Sequence, residues 1–204
     1  MKSHYLAIAA LSFGFAAVDA MAKAEIGQPA PAFTVADADG KTHNLSDFTG
    51  KTVVLEWTNY DCPFVRKHYD AGNMQAQQKA ATSAGVVWLT VNSSASGKQG
   101  HVTPSKAKEL MASDGWTGTA YVFDTEGTVG QAYGAKTTPH MYVIDSEGVL
   151  RYMGGIDSNP SADQADIAGA TQYVSKALEQ LAAGEPVAQA NTRPYGCSVK
   201  YAGS

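Results

Sequence analysis

Cysteine is scarce in this chain: there are two in 204 residues, Cys62 and Cys197, far apart in sequence. That excludes a small scaffold stapled by several bridges, which needs a much higher cysteine density. It also excludes a local Cys-x-x-Cys pair and any metal site of ordinary Cys/His spacing, so no metal and no cofactor is expected. A metal held by Cys62, Cys197 and a His has no local ligand spacing behind it. An excess of positive charge is lacking too. The chain has 15 Lys and Arg against 19 Asp and Glu, a formal net charge of −4. Nucleic acid is therefore not an expected partner, because it would need a basic face. Long hydrophobic runs are missing as well. The apolar stretch from Tyr5 to Val18 falls short of the roughly 20 residues that span a bilayer.

That stretch follows Lys2 and precedes Ala22-Lys23-Ala24, which puts small residues at the minus-three and minus-one positions of a cleavage site before Glu25. The pattern reads as a signal peptide over residues 1–24, hence an exported and periplasmic protein, with a membrane anchor as the competing reading. The remainder suits one domain, residues 25–184, with a tail, residues 185–204, that carries Cys197.

Along the domain, Phe33-Thr34-Val35 and Thr42 to Leu45 flank Asp39-Gly40 as an opening hairpin. Thr52–Trp57 (TVVLEW) and Val86–Val91 (VVWLTV) are near-continuous apolar runs, as expected of strands covered on both faces. Between them Pro63 to about Ala81 is helical, divided or kinked at Gly72-Asn73. A polar loop, Asn92 to Thr103, precedes a short helix, Pro104 to Ser113. A short strand at Tyr121–Phe123 and a short helix ending near Tyr133-Gly134 follow. Met141–Ile144 and Val149–Met153 form a hairpin. A last helix runs from about Ala165 to Ala183, with Ala170, Val174, Ala177, Leu178 and Leu181 as its apolar face and Gly184 after its end. This order predicts an α/β fold. A central mixed sheet, largely parallel because of its crossovers, carries helices on both faces, an N-terminal β-hairpin and an irregular C-terminal tail. Ligands in such sheets bind beyond the carboxyl ends of the strands, which is where Cys62 falls.

Asn59-Tyr60-Asp61-Cys62-Pro63-Phe64-Val65-Arg66-Lys67-His68 is the stretch richest in chemistry. Pro63 suits the first helical position, which makes Cys62 the N-cap. A thiol there meets the positive end of the helix dipole and free N–H groups, which favour thiolate, and Arg66 and Lys67 add charge one turn on. The thiolate is the nucleophile in thiol–disulfide and thiol–peroxide reactions. The bland alternative is a Cys62 that only packs or only forms a structural bridge. Thr138-Pro139-His140, directly before a strand, is the second piece. An X-Pro here is expected to be cis and to project its loop toward Cys62, the alternative being a trans proline opening an edge strand. His68 is expected on the flank of its helix, His43 and His101 in solvent, and Glu56, odd in a buried strand, as a solvated carboxylate at the sheet end, the alternative being a buried proton acceptor.

On these residues the chain resembles the thioredoxin-like superfamily, and within it the redoxins: peroxiredoxins of the alkyl-hydroperoxide-reductase, thiol-specific-antioxidant type and their less-characterised relatives. The resemblance covers roughly Gly27 to Ala183 and rests on Gly27-Gln28-Pro29-Ala30-Pro31-Ala32-Phe33, Cys62-Pro63 at a helix start, Tyr133-Gly134, Thr138-Pro139, Val143-Ile144-Asp145 and Gly148. Peroxiredoxins carry Pro-x-x-x-Thr-x-x-Cys. Here Leu55 takes the Pro position and Asn59 the Thr position, while Pro139 stands where an Arg is expected. Thioredoxins carry a second Cys that Cys62-Pro63-Phe64-Val65 lacks.

Taken with the leader, the resemblance implies an exported thiol oxidoreductase in which Cys62 attacks a disulfide or a peroxide and Cys197 resolves the product. Thr138 and Pro139 then offer contacts to the substrate, Asn59 a hydrogen bond to a bound oxygen, and Arg66 or His140 the missing positive charge. Partners would be a thiol or disulfide protein or a peroxide, with an external thiol reductant, and no membrane once the leader is removed. The alternative is a non-catalytic binding or scaffold protein of the same fold, in which a permanent Cys62–Cys197 bridge pins the tail.

Overall fold

The computed structural model describes residues 23–203; the leader assigned to residues 1–24 lies almost wholly outside them. Among the described residues nine strands and five α-helices follow one another in an α/β order. The hairpin of β1 (Thr34–Asp37) and β2 (Thr42–Asn44) opens the domain. Strand β3 (Val53–Trp57) leads into α1 (Pro63–Asp70) and α2 (Asn73–Ser83), which are separated by Gly72 at φ 73°. That backbone region is open to glycine without steric cost, so the chain turns there instead of continuing one helix. Then come β4 (Val87–Asn92), α3 (Pro104–Ser113), β5 (Ala120–Phe123) and α4 (Thr128–Tyr133). The two-residue β6 (Thr137–Thr138), β7 (His140–Ile144), β8 (Leu150–Gly154), α5 (Tyr173–Ala182) and the two-residue β9 (Cys197–Ser198) complete the chain.

Seven strands form one sheet in the order β2-β1-β5-β4-β3-β7-β8. Parallel pairing is confined to β3–β4 and β4–β5, and the other neighbours are antiparallel, so the sheet is more mixed than its crossovers suggested. Strand β3 shows why its sequence is apolar throughout. Val53, Leu55 and Trp57 enter one core with Leu89, Tyr142 and Ile144, while Val54 enters the other with Trp88, Met141 and Val143. Alternate residues point to opposite faces, and helices cover both faces, so neither register can be polar without partners. Among the described residues no helix is long and apolar enough to cross a membrane.

The last helix is shorter than its apolar pattern predicts. Only Tyr173–Ala182 is α-helical, and Gln164–Ile167 is a separate 3-10 turn capped by Asp163. The backbone between them is used elsewhere: Thr171 N donates to Ser158 Oγ at 2.9 Å, Ser158 N to Thr171 O at 3.1 Å, and Gln172 pairs with Asp157. Ala170 therefore lies outside the helix, while Val174 and Ala177 are buried by it as expected.

The tail also departs from its reading as a segment with no regular element to anchor it. Strand β9 pairs antiparallel with β6, in the register Thr137 opposite Ser198 and Thr138 opposite Cys197. Tyr195 and Val199 are buried on either side of it. Val199 N donates to Lys136 O at 3.0 Å, Ala95 N to Lys200 O at 2.8 Å, and Tyr201 Oη to Ala135 O at 2.8 Å. The Tyr201 ring lies so close over Gly127 and Gly130 that a Cβ at either would collide with it.

Candidate active site

Cys62 is the N-cap of α1 and Pro63 its first residue, as the local sequence requires. The Cys62 carbonyl accepts from Val65 N at 3.0 Å and Arg66 N at 2.9 Å, and the Cys62 N–H donates to Asn59 O at 3.0 Å. These bonds fix the residue at the carboxyl end of β3, beyond Trp57. Its thiol is fully buried and donates to the Thr138 carbonyl at 3.1 Å. The Thr138–Pro139 peptide is cis, and its loop lies against Cys62.

Cys197 arrives at the same carbonyl from the other end of the chain. It stands opposite Thr138 in the β6–β9 ladder, half-buried, with both cysteines in the thiol form. Burial, together with its contact with the Cys62 sulfur, pushes the Cys197 thiol up to about 11, against the opposing influence of Lys200. Gly196 makes this approach possible. Its φ is 125°, and a Cβ there would stand 2.0 Å from the Thr138 oxygen. The ladder can close only where that residue has no side chain.

Tyr195 holds the tail from the side. Its ring meets Phe64 edge-on at 5.9 Å, and its hydroxyl donates to Asp157 Oδ1 at 2.5 Å and contacts His68 Nε2 at 3.0 Å. Lys67 Nζ donates to Asn159 O at 3.0 Å and approaches Asp157 Oδ2 at 3.5 Å. The Lys67 and Asp157 side chains are fully buried, so each compensates a charge the other would leave unpaired. His68 is buried rather than on the helix flank. Burial pushes it down to about 4, with Lys67 acting in the same direction and Asp157 opposing, so it is neutral near pH 7. His43, expected in solvent, is likewise buried, bonded to Asp37 Oδ2 at 2.7 Å. His101 is half-buried, its Nδ1 3.2 Å from Ser94 O.

The other residues expected at the site are engaged elsewhere. Arg66 donates to Asp114 at 2.7 and 3.0 Å, pairs with Asp70, and lies 4.6 Å over the Tyr60 ring. Its charge is therefore already matched by two carboxylates. His140 is buried, and its Nδ1 contacts Lys136 N at 3.3 Å and Tyr142 Oη at 3.1 Å. Burial, reinforced by Lys136, pushes it down to about 3. It carries no positive charge at neutral pH and cannot supply the one the sequence lacked. Asn59 turns under the 93–101 loop. Its Oδ1 accepts from Asp61 N at 2.9 Å, its side chain fills the space that a Cβ on Gly100 would need, and its buried Nδ2 has no partner.

Glu56 takes the alternative of its two readings. Instead of being solvated, it is fully buried in the middle of the sheet. Tyr69 Oη donates to it at 2.8 Å, Trp88 Nε1 at 2.8 Å, Gln78 Nε2 at 3.1 Å and Thr90 Oγ1 at 3.1 Å. Burial pushes the Glu56 carboxyl up, and the four donors offset part of that rise. A charged residue inside an apolar strand was the available signal. Its four partners come from α1, α2 and β4, so no local pattern revealed them.

Residues 26–153 match the AhpC/TSA family. The chain belongs to that family. Its membership supports a thiol redox role, and the matched region contains Cys62 and the cis-proline loop but ends before Asp157 and the tail. Among solved structures the AhpC/TSA chain is similar to an uncharacterized conserved protein from Geobacillus kaustophilus. That match has 25% identity and a TM-score of 0.78, over 88% of this chain and 94% of the other. A hypothetical protein from Sinorhizobium meliloti 1021 shares its fold at 22% identity and a TM-score of 0.74, over 88% and 96%. A secreted Mycobacterium tuberculosis disulfide oxidoreductase homologous to E. coli DsbE shares it at 16% identity and a TM-score of 0.50, over 67% and 92%. No curated protein matches the chain.

Proposed function

We propose that this AhpC/TSA-family protein is a thiol–disulfide oxidoreductase that cycles between the Cys62, Cys197 dithiol and a Cys62–Cys197 disulfide. The observation that carries the reading is the meeting of both cysteines at one carbonyl: the Cys62 thiol bonds Thr138 O, and Cys197 faces Thr138 across a two-residue ladder. A partner disulfide would be reduced to two thiols as the pair closes its own S–S bond, and an external thiol reductant would reopen it. Disulfide exchange is favoured over peroxide reduction by the fate of the polar groups nearby. Peroxide cleavage needs cationic or donor groups at the breaking O–O bond. Arg66 is paired with two carboxylates, His140 is neutral, and Asn59 is turned beneath Gly100.

Peptide mapping without reductant tests this. Treatment with a disulfide oxidant is expected to remove two hydrogens and to link the peptides carrying Cys62 and Cys197, and a dithiol should reverse the change. Two cysteines that remain free thiols after oxidation would sink the proposal.

The protein is also proposed to work outside the cytoplasm. The leader-like residues 1–24 support this, as does the fold shared with a secreted disulfide oxidoreductase. Protein recovered after export should begin at Glu25 or within a few residues of it. An intact Met1 on exported material would refute the assignment.

A further inference from the structure

The two sulfurs are not equally placed to meet a partner. Cys62 is fully buried, packed in one core with Val65, Met141, Ile156 and Tyr195, and its sulfur is turned toward Thr138 O. Cys197 lies on the tail side of the pair and is only half-buried. Directly before it, Gly196 lines a cavity of about 470 Å3, together with Phe64, Thr137, Arg193 and Tyr195.

Thiol–disulfide exchange is an in-line displacement, in which the incoming thiolate, the attacked sulfur and the departing sulfur align. To attack Cys62, a thiolate would have to approach from the side opposite Cys197, through the packed interior. To attack Cys197, it approaches from the tail side. The electron pair then leaves on Cys62, the sulfur that stays inside the fold beside Thr138 O.

We propose that Cys197, and not the helix-capping Cys62, is the sulfur that exchanges with the partner. The inference rests on the redox-pair reading above. A partner thiolate forms an S–S bond to Cys197 Sγ, the Cys62–Cys197 bond breaks, and Cys62 departs with the electron pair. A second partner thiol then attacks the partner sulfur of the mixed disulfide. Cys197 is released as a thiolate and takes up a proton, so the partner dithiol leaves as a disulfide and the protein as a dithiol. In the opposite direction the Cys197 thiol gives up its proton to solvent and its sulfur bonds one partner sulfur while the other partner sulfur leaves as a thiolate. Cys62 then loses its proton, closes onto Cys197 Sγ and expels the second partner thiolate, and the two partner thiolates take up the protons. The tail is then a fixed port, held by Tyr195 and Val199 on either side of the reacting sulfur, and does not need to leave the domain for exchange to occur.

The test uses full-length mature protein. The disulfide form is mixed with glutathione, quenched within the first turnover by acid and an alkylating reagent, and mapped. Glutathione is expected on Cys197 and the alkyl group on Cys62; glutathione on Cys62 overturns the proposal. The single variants give a second arm that does not depend on the bridge. Folded Cys62→Ser should react with a bulky aromatic disulfide roughly tenfold or more faster than folded Cys197→Ser, the difference vanishing in denaturant. Equal or reversed rates in the folded state overturn the proposal. Failure of the redox-pair reading looks different, because oxidised wild type would then contain no Cys62–Cys197 link at all.

Discussion

Cys62→Ser is expected to take partner oxidation and reduction down to the rate measured without protein, because the pair then has no second sulfur with which to close a bridge. Cys197→Ser should also stop turnover, but at another step. A water-sized oxidant such as hydrogen peroxide should oxidise the remaining Cys62 once and leave it as a sulfenic acid with nothing to condense with. The reduced forms of both variants should melt close to reduced wild type, within about 1–2 kcal/mol. The dithiol state is already held by the β6–β9 ladder, the Tyr195 contacts and Tyr201, without a bridge. A scaffold protein with a purely structural bridge predicts a different pattern. In the oxidised state both substitutions would then lose stability alike, by up to about 5 kcal/mol for so long a loop in the chain-entropy model. Neither would alter any exchange rate, because there would be none. Melting and exchange measured on the same two variants separate the readings, and equal destabilisation with no reactive thiol would end the enzyme proposal.

Glu56→Ala is expected to be the most destabilising single change in the sheet, at roughly 3–5 kcal/mol. It strands three buried donors, Tyr69 Oη, Trp88 Nε1 and Thr90 Oγ1, and leaves Gln78 Nε2 with only its second acceptor, Tyr69 Oη at 3.1 Å. Glu56→Gln should be far milder. The three donors other than Tyr69 converge on one carboxylate oxygen, where an amide carbonyl can stand. The amide nitrogen then faces the Tyr69 hydroxyl, which can reverse its role. The two variants also differ in how stability depends on pH. The folded state holds the Glu56 proton more tightly than the unfolded chain, whose value is near 4.5. The associated stabilisation is therefore fully present below about 4.5 and is lost as pH rises through the raised folded value. Wild type measured against Glu56→Gln by urea unfolding should become relatively less stable as pH increases from 4.5. A slope of opposite sign would mean that folding favours the ionised carboxylate, and a flat difference that folding leaves its proton affinity unchanged; either would overturn the raised value.

Much of the architecture was legible because it is local. The all-apolar β3, Pro63 after Cys62, and the boundaries of α3 each follow from a few consecutive residues and a period. The family resemblance rested on the same short motifs. What failed locally was α5, where an apolar period runs on past the point at which Thr171 and Gln172 pair with Ser158 and Asp157. A helix pattern carries no information about a competing long-range bridge.

The sequence by itself determined that Cys62 would cap a helix at the end of a central strand, since that depends on neighbours in the chain, whereas the Thr-Pro loop beside it is a contact across 76 residues that the strand order made expected. Only the tertiary structure decided that Cys197 is the partner of that thiol. A two-residue strand has no periodicity to read, and the contact depends on Gly196 meeting a carbonyl nearly sixty residues earlier. The same holds for charge. Whether Arg66, His140, His68 and Glu56 are ionised, paired or neutral depends on which groups the fold brings around each of them. Desolvation and pairing are properties of the folded neighbourhood, and they turned two expected cation donors into structural groups while placing a carboxylate at the centre of the sheet.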